Sequence, residues 1–315
     1  MLHTILGAGG PVSNALTTEL LQLNYPVRLV SRRKLEPAGS AQWVKADLLD
    51  YAQVLQAVQG SAVIYMCAGL RYDKKVWATE WPRIMQNLID ATKATGARLI
   101  FFDNVYMYGR VPGPMTENTP YQPTSVKGEI RARVAEKMMA EVKAGNIQAT
   151  IARAADFYGA ESLNSLYDSM VLAKYAQNSK AMWVGNPDAK HTFTYVPDAG
   201  KAMALLGQHP EADNQIWHLP SAPALTGREF IQLAATAFNT APKFMAVNKI
   251  MLQLLGLFNK SIKESVELYY QYQYDYVFNS EKFEKAFQVQ PTSYANGIRQ
   301  LSGTLFKSDK TLVTG

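Results

Sequence analysis

The first 159 residues alternate short apolar runs with longer amphipathic ones, and few folds accept that rhythm. "HTILGAG" reads as a strand ending in glycines, and "SNALTTELLQLN" as a helix with apolar residues at helical spacing. "PVRLVSR" is a second strand, "AQWVKAD" a third, and "YAQVLQAVQG" a helix closed by Gly60. "SAVIYMCAG" and "ARLIFFDN" are largely apolar, as strands of a parallel sheet covered on both faces are, and "EWPRIMQNLIDATKATG" is the helix between them. "PTSVKGEIRARVAEKM" is the next helix and "IQATIARAADFYG" a sixth strand. The pattern predicts an α/β fold built on a doubly wound parallel sheet. A sandwich or a helical bundle does not alternate in this way.

Past Gly159 the rhythm weakens into helices and isolated short strands such as "HTFTYV" and "NQIWHLP". Thr226 to Tyr276 reads as mostly helical and rich in Leu, Phe and Tyr. At 315 residues the chain is long enough for about two domains. The expected division is a sheet domain over 1–159 and a smaller, mostly helical lobe over 160–315, with some of its segments returning to the sheet. A cleft is expected at the sheet's C-terminal edge.

Totals exclude several classes. Cys67 is the single cysteine, which rules out a disulfide framework, and the four histidines show no metal-binding spacing, so no metal is expected. The net charge of +6 suits an anionic small molecule, but no dense Lys/Arg run marks a nucleic-acid surface. No run approaches the roughly 18 apolar residues of a membrane helix. The N-terminus enters an apolar strand at once, with no basic leader. A cytoplasmic protein with a small-molecule substrate, and with neither nucleic acid nor membrane as a partner, is the expectation.

"ILGAGGPVSNAL" places Gly7, Gly9 and Gly10 directly between the first strand and the first helix. Glycines there let the backbone turn tightly and approach a pyrophosphate, which then sits on the helix N-terminus. A flexible turn is the bland alternative, but first strand, chain start and following helix are the context a dinucleotide site needs. The end of the second strand reads "LVSRRK", with Arg32 and Arg33 and no acid before Glu36. An acid in that place holds a ribose 2′-hydroxyl, whereas arginine suits a 2′-phosphate. The reading is NADP(H) preferred, with NAD(H) possible, against a plain solvated basic turn. Asp47, after the third strand, has two readings: acceptor for the adenine amino group, or cap of the next helix.

With these stretches in view, the chain resembles the extended short-chain dehydrogenase/reductase family, also called NAD-dependent epimerase/dehydratases, and its atypical branch. "LGAGGPVS" is similar to the family's Gly-x-x-Gly-x-x-Gly turn, with Ser13 in the third slot. "FFDNVYMYG", "RAADFYG", "HTFTYVPDAGKAM" and "VFNSEKFEKAFQVQPTSYANGI" resemble its later signature blocks, so the likeness runs nearly end to end. It implies a Rossmann fold and a cofactor path over Gly7, Gly9, Gly10, Pro11, Val12 and Ser13, then Arg32 and Arg33. From there the path passes Asp47 and Leu48 and runs along Cys67, Ala68 and Gly69, with Arg131 on the nicotinamide ribose.

The catalytic positions depart from the family. "PTSVKGEIRARVAEKM" lies where relatives carry Pro-x-Ser-x-Tyr-Gly-x-Ser-Lys, so Lys127 takes the slot of the catalytic tyrosine and Arg131 that of the lysine. Asn104 stands in the slot of the serine or threonine. Lys127 and Arg131 are four apart and share a helix face, an odd spacing for two cations unless both serve one site. Arg131 can donate to ribose hydroxyls but never gives up its proton. Lys127 puts a cation where a neutral phenol would stand, a usable acid beside Arg131. Asn104 can hydrogen-bond a carbonyl oxygen, and the group would act as an electrostatic clamp on a developing alkoxide.

Tyr106, two residues past the serine slot, is a second candidate acid, while Tyr108 reads as packing. Asp103 and Asp156 are acids at strand ends, each suited to orienting Lys127, binding a polar substrate or capping a turn. Cys67 reads as a small buried residue. The tyrosine-rich Glu267 to Phe278 stretch either lines a pocket or packs a helical lobe. Relatives pair the helices near Glu80 to Gly96 and Thr124 to Ala144, which implies a possible homodimer. The leading expectation is an atypical NADP(H)-dependent oxidoreductase acting on a small carbonyl or polar molecule. Its rivals are a non-catalytic NADP(H)-binding regulator and a nucleotide-sugar epimerase or dehydratase.

Overall fold

The structure, a computed structural model, describes residues 1–159 and 165–311. The chain divides into two compact units. The first comprises residues 1–109, 119–154 and 199–219, and the second residues 110–118, 155–198 and 220–315.

A seven-stranded, wholly parallel sheet organises the first unit: β1 (Leu2–Leu6), β2 (Val27–Ser31), β3 (Gln42–Lys45), β4 (Ser61–Met66), β5 (Arg98–Asp103), β6 (Ala149–Arg153) and β7 (Ile216–His218). Their order is β7-β6-β5-β4-β1-β2-β3, so the winding reverses between β1 and β4. Ligands of open parallel sheets bind at such a reversal, outside the carboxyl ends of the strands. The register is direct: Ile5 and Leu6 of β1 sit beside Leu29 and Val30 of β2 and beside Tyr65 and Met66 of β4. Because Ile64, Ile100 and Ile151 are buried like their neighbours, the inner strands β4, β5 and β6 read as continuous runs of buried residues, not as alternations.

The crossovers are α1 (Pro11–Gln22), α2 (Tyr51–Val58), α3 (Lys74–Thr95), α4 (Val126–Lys143) and α5 (Val196–Gln208). Local chemistry sets their starts. Pro11 opens α1 at its first turn, where a missing N–H costs nothing. Asp50, Asp73 and Ser125 cap α2, α3 and α4 by accepting from the first-turn N–H groups. Gly200 in α5 faces Ala15 of α1, and a Cβ there would come within 2.6 Å of the alanine methyl, so the two helices cross backbone to backbone.

The second unit is held by an aromatic core in which Tyr158, Tyr167, Trp183, Phe193, Phe230 and Tyr294 meet largely at tilted and edge-on angles. Its strands are short pairs, such as Phe244–Val247 with Ala181–Val184 and Phe193–Tyr195 with Asp156–Tyr158. The stretch "IQATIARAADFYG" is therefore two elements. Its first half is β6, and from Asp156 it pairs within the second unit instead of extending the sheet. "NQIWHLP" supplies the seventh sheet strand. In the tyrosine-rich stretch, Tyr269, Tyr276 and Phe278 are buried in packing, while Tyr274 lies open under the Arg110 guanidinium, 3.6 Å from its ring centroid.

Candidate active site

At the sheet's reversal a cleft of about 400 Å³ is lined by Gly7, Ala8 and Gly9 after β1, by Ser31 to Arg33 after β2, by Ala46 to Leu49 after β3 and by Ala68 to Leu70 after β4. Gly7 has φ +79° and Gly9 φ +99°, values only glycine adopts without strain. A Cβ on Gly7 would collide with the Ala68 backbone, so this residue lets the ends of β1 and β4 close on one another. Ser13 is buried, and its hydroxyl accepts from the Gly9 N–H (3.0 Å) and donates to the Gly10 carbonyl (2.7 Å). The third slot of the turn thus acts as a clasp. Since Pro11 has no N–H, Val12 and Ser13 supply the first free donors of the helix start.

The end of β2 is equally ordered. Ser31 Oγ donates to the Arg33 carbonyl (2.6 Å) and accepts from the Trp43 indole (2.9 Å), fixing the turn that carries Arg32 and Arg33. Both guanidiniums are exposed, and among the described residues neither makes an ion pair. Asp47 does not cap α2; Asp50 does. Asp47 Oδ1 instead accepts from the Leu49 N–H (3.0 Å), and Asn87 of α3 holds the Leu48 carbonyl (2.9 Å), so this loop is braced from both sides. Cys67 is half-buried at the end of β4, and desolvation pushes its thiol up to about 12, which disfavours a nucleophilic thiolate.

Lys127 and Arg131 are both inside, 0% and 2% exposed. Arg131 donates through Nε to Asp103 Oδ1 (2.7 Å), with Nη2 on the same oxygen. Its guanidinium lies over the rings of both Trp81 and Phe101, 4.2 and 4.7 Å from their centroids. The Lys127 ammonium stands 5.6 Å from the centroid of the Tyr72 ring, within cation–π range. The Tyr72 hydroxyl bonds the Tyr106 hydroxyl, and Tyr106 lies parallel to Trp77. Asn104 turns its side-chain oxygen back to accept from the Tyr106 N–H (3.0 Å), leaving its amide hydrogens as donors. Gly128 brings α4 onto this turn: a Cβ there would stand 2.5 Å from the Tyr106 carbonyl.

Lys127, Tyr106 and Asn104 are therefore gathered at one corner. Arg131 is one helical turn further, on Asp103. Asp156 belongs to the second unit, where Oδ2 meets His191 Nε2 at 3.1 Å.

Several members of this corner are absent from the sequence-based candidates. Tyr72 lies in the loop between β4 and α3, which Asp73 and the Trp77 indole hydrogen bond to the Arg71 carbonyl hold in place. Arg153, wholly buried at the end of β6, reaches Asp103 Oδ2 (3.4 Å), the Tyr108 hydroxyl (2.7 Å) and the Tyr121 hydroxyl. The Tyr108 hydroxyl also meets His218 Nε2 at 2.8 Å. The arginine opening "RAADFYG" is the one sequence signal that could have pointed here. Desolvation holds the Tyr108 phenol up at about 12, despite Arg153 beside it, so Tyr108 remains a neutral packing and hydrogen-bonding group.

Known proteins share this architecture. The dTDP-glucose 4,6-dehydratase of Bacillus anthracis, solved in complex with NAD, superposes with a TM-score of 0.81 at 15% identity over 99% of this chain and 98% of that one. The UDP-glucose 4-epimerase of Thermus thermophilus, also a complex with NAD, gives 0.77 at 16% identity over 97% and 99%. At such identities the likeness is one of fold. Among curated proteins, a 3beta-hydroxysteroid-dehydrogenase/decarboxylase (isoform 2) of Arabidopsis thaliana is 30% identical over 188 residues, 52% of this chain and 30% of the length of that relative. Residues 3–219, from the first strand of the sheet to the last, match the NAD dependent epimerase/dehydratase family, and the chain belongs to that family.

Proposed function

We propose that the chain is an NADP(H)-dependent oxidoreductase of atypical mechanism, acting on a small carbonyl or related polar molecule. The observation that carries this reading is the cleft at the sheet reversal, floored by Gly7 and Gly9 and edged at the end of β2 by Arg32 and Arg33, with no acid before Glu36. The residues present fit a dinucleotide. Gly7, bare of a side chain, lets the ends of β1 and β4 close together at the cradle, Val12 and Ser13 offer N–H groups to a pyrophosphate, and two exposed guanidiniums suit a 2′-phosphate. Leu48 and Asp47 would border the adenine, and Ala68 and Gly69 the path onward.

The nicotinamide, when bound, supplies or accepts the hydride. The chain's task is the oxygen and its proton. Lys127, the Tyr106 hydroxyl and the Asn104 amide form a donor set that would polarise a carbonyl oxygen, and Tyr72 links Tyr106 to the lysine. Proton loss from Tyr106 or Lys127 to the alkoxide balances the hydride gained at carbon. Arg131 has Nε and Nη2 on Asp103, which leaves Nη1 as the nitrogen to reach a ribose hydroxyl.

A nucleotide-sugar epimerase or dehydratase is the second reading, favoured by the fold-level likeness to two such enzymes. Lysine and arginine in place of the usual tyrosine and lysine weigh against it.

The test is a fluorescence titration with NADPH and, separately, NADH, on wild type and on Arg32→Ala/Arg33→Ala. Charge-assisted bonds to a phosphate predict about 10- to 100-fold tighter NADPH binding, abolished in the double variant. Equal affinities would remove the 2′-phosphate assignment. Lys127→Ala should then bind cofactor normally and lose turnover across a carbonyl panel. Binding by wild type with no turnover of any carbonyl would point to a regulator.

A further inference from the structure

We propose that the helical hairpin formed by Lys249–Gly256 and Lys260–Ser265 docks on the surface of an anionic lipid bilayer. The first helix is apolar apart from Lys249 and Gln253, which are both exposed. Met251 and Leu252 pack inward against Val184, Val247 and Tyr269. Its solvent side carries Ile250, Leu254 and Leu255 beside Lys249 and Gln253, where a surface helix is mostly polar, with Ile250 67% exposed. At the tip between the helices Leu257 is 73% and Phe258 92% exposed. Five large apolar side chains within nine residues thus face water together, where single exposed ones would need no explanation.

The hairpin is built to hold that face outward. Asn248 and Asn259 cap the two helices, accepting from Met251 N–H (2.9 Å) and from Ser261 and Ile262 N–H (3.0 and 3.2 Å). Gly256 is buried where a Cβ would stand 3.0 Å from the Lys263 Cα, so the second helix closes on the first and the tip is presented as a fixed wedge.

Charge selects the occupant. Between Glu229 and Glu264 the chain has no acidic residue, and Lys249, Lys260 and Lys263, on the two helices that flank the tip, are exposed, with Glu264 the one acid in the hairpin. Protruding apolar residues ringed by lysines match an acyl layer beneath anionic headgroups. A convex wedge needs no matching cavity in a fluid layer, whereas a protein partner would have to supply one. Among the described residues no helix is long and apolar enough to cross a membrane, so the hairpin would lie on the bilayer, not through it.

Co-sedimentation of the full chain with vesicles tests this, using phosphatidylcholine alone and phosphatidylcholine containing about a third phosphatidylserine. Wild type is expected to sediment with the anionic vesicles only, and to be released as salt approaches about 0.5 M. Leu257→Asp/Phe258→Asp should weaken binding at least about tenfold with an unchanged melting temperature, because both side chains are in solvent. Lys260→Glu/Lys263→Glu should weaken it as well and flatten the salt dependence. Failure of wild type to sediment with either vesicle, or equal sedimentation of wild type and the aspartate variant, would overturn the proposal. So would a self-association, seen by analytical ultracentrifugation without vesicle binding, that the aspartate variant dissolves; a second copy of the chain would then be the occupant.

Discussion

Asp103 carries the charge balance of the buried corner in the first unit. Its carboxylate accepts from Arg131, from Arg153 and from the Asn104 N–H, and neither arginine can shed its proton. One anion therefore serves two cations, and the remaining charge is spread over ring faces: Trp81 and Phe101 for Arg131, Tyr108 and Tyr121 for Arg153. Asp103→Asn keeps the shape and removes the charge. Two desolvated guanidiniums would then lack their carboxylate, a loss expected to cost about 3–5 kcal/mol of folding stability. Urea denaturation should show a lower midpoint at an unchanged slope. A change of less than about 1 kcal/mol would mean that the aromatic faces alone suffice to hold the arginines.

At the level of elements, two glycines set the approach of one segment to another, and their substitution separates two functions. Gly7→Ala would meet the Ala68 backbone at a φ of +79°, so the ends of β1 and β4 must part and the cofactor cradle opens. NADPH binding is expected to fall by more than about tenfold, the equivalent of about 1.4 kcal/mol. Gly9→Ala is also strained, at a φ of +99°, but its Cβ meets the Leu35 side chain at 3.1 Å and no backbone, so it should lose less. Gly128→Ala instead presses on the Tyr106 carbonyl and should lower turnover while cofactor affinity stays, a contrast that titration and steady-state kinetics on the same samples would read. Both glycines stand out in the sequence, one in "LGAGG" and one in "SVKGE", but the partner each approaches does not. The same holds for the fold. Apolar runs and capping residues reveal the strands and helices, because those signals are local. The start of α2 at Tyr51 is legible, whereas the starts of α1, α3 and α4 differ by a few residues, α3 the most, because Asp73 and not the apolar pattern opens it. Tyr72, Arg153 and His218 went unseen because their roles arise from contacts between segments far apart in the chain, which no periodicity encodes.

For the sheet as a whole, an interior strand carries its own response to acid. His3 lies buried in β1 between β2 and β4, with Nδ1 2.9 Å from the Tyr65 hydroxyl and its ring against Tyr25. Burial first, then the N-terminal ammonium and the Arg98 guanidinium, lower its pKa from 6.5 to about 4. Arg98 cannot move aside, since Asp213 and the carbonyls of Leu206 and Gly207 hold it across the end of α5. Above pH 6.5 folded and unfolded chains both keep this imidazole neutral. As pH falls below that value the unfolded chain binds a proton that the folded one refuses, so stability declines until the folded pKa near 4 is reached and then levels off. A gap of that size corresponds to about 3 kcal/mol. Carboxylates elsewhere also titrate in this window, so the informative quantity is the difference between wild type and His3→Gln, which keeps a polar partner for Tyr65 but cannot ionise. Wild type is expected to lose about 3 kcal/mol more than the variant between pH 7 and pH 4, measured by chemical denaturation across the range. Parallel curves would mean that the folded sheet accepts the proton, and that the Arg98 anchor yields to a charge at its centre.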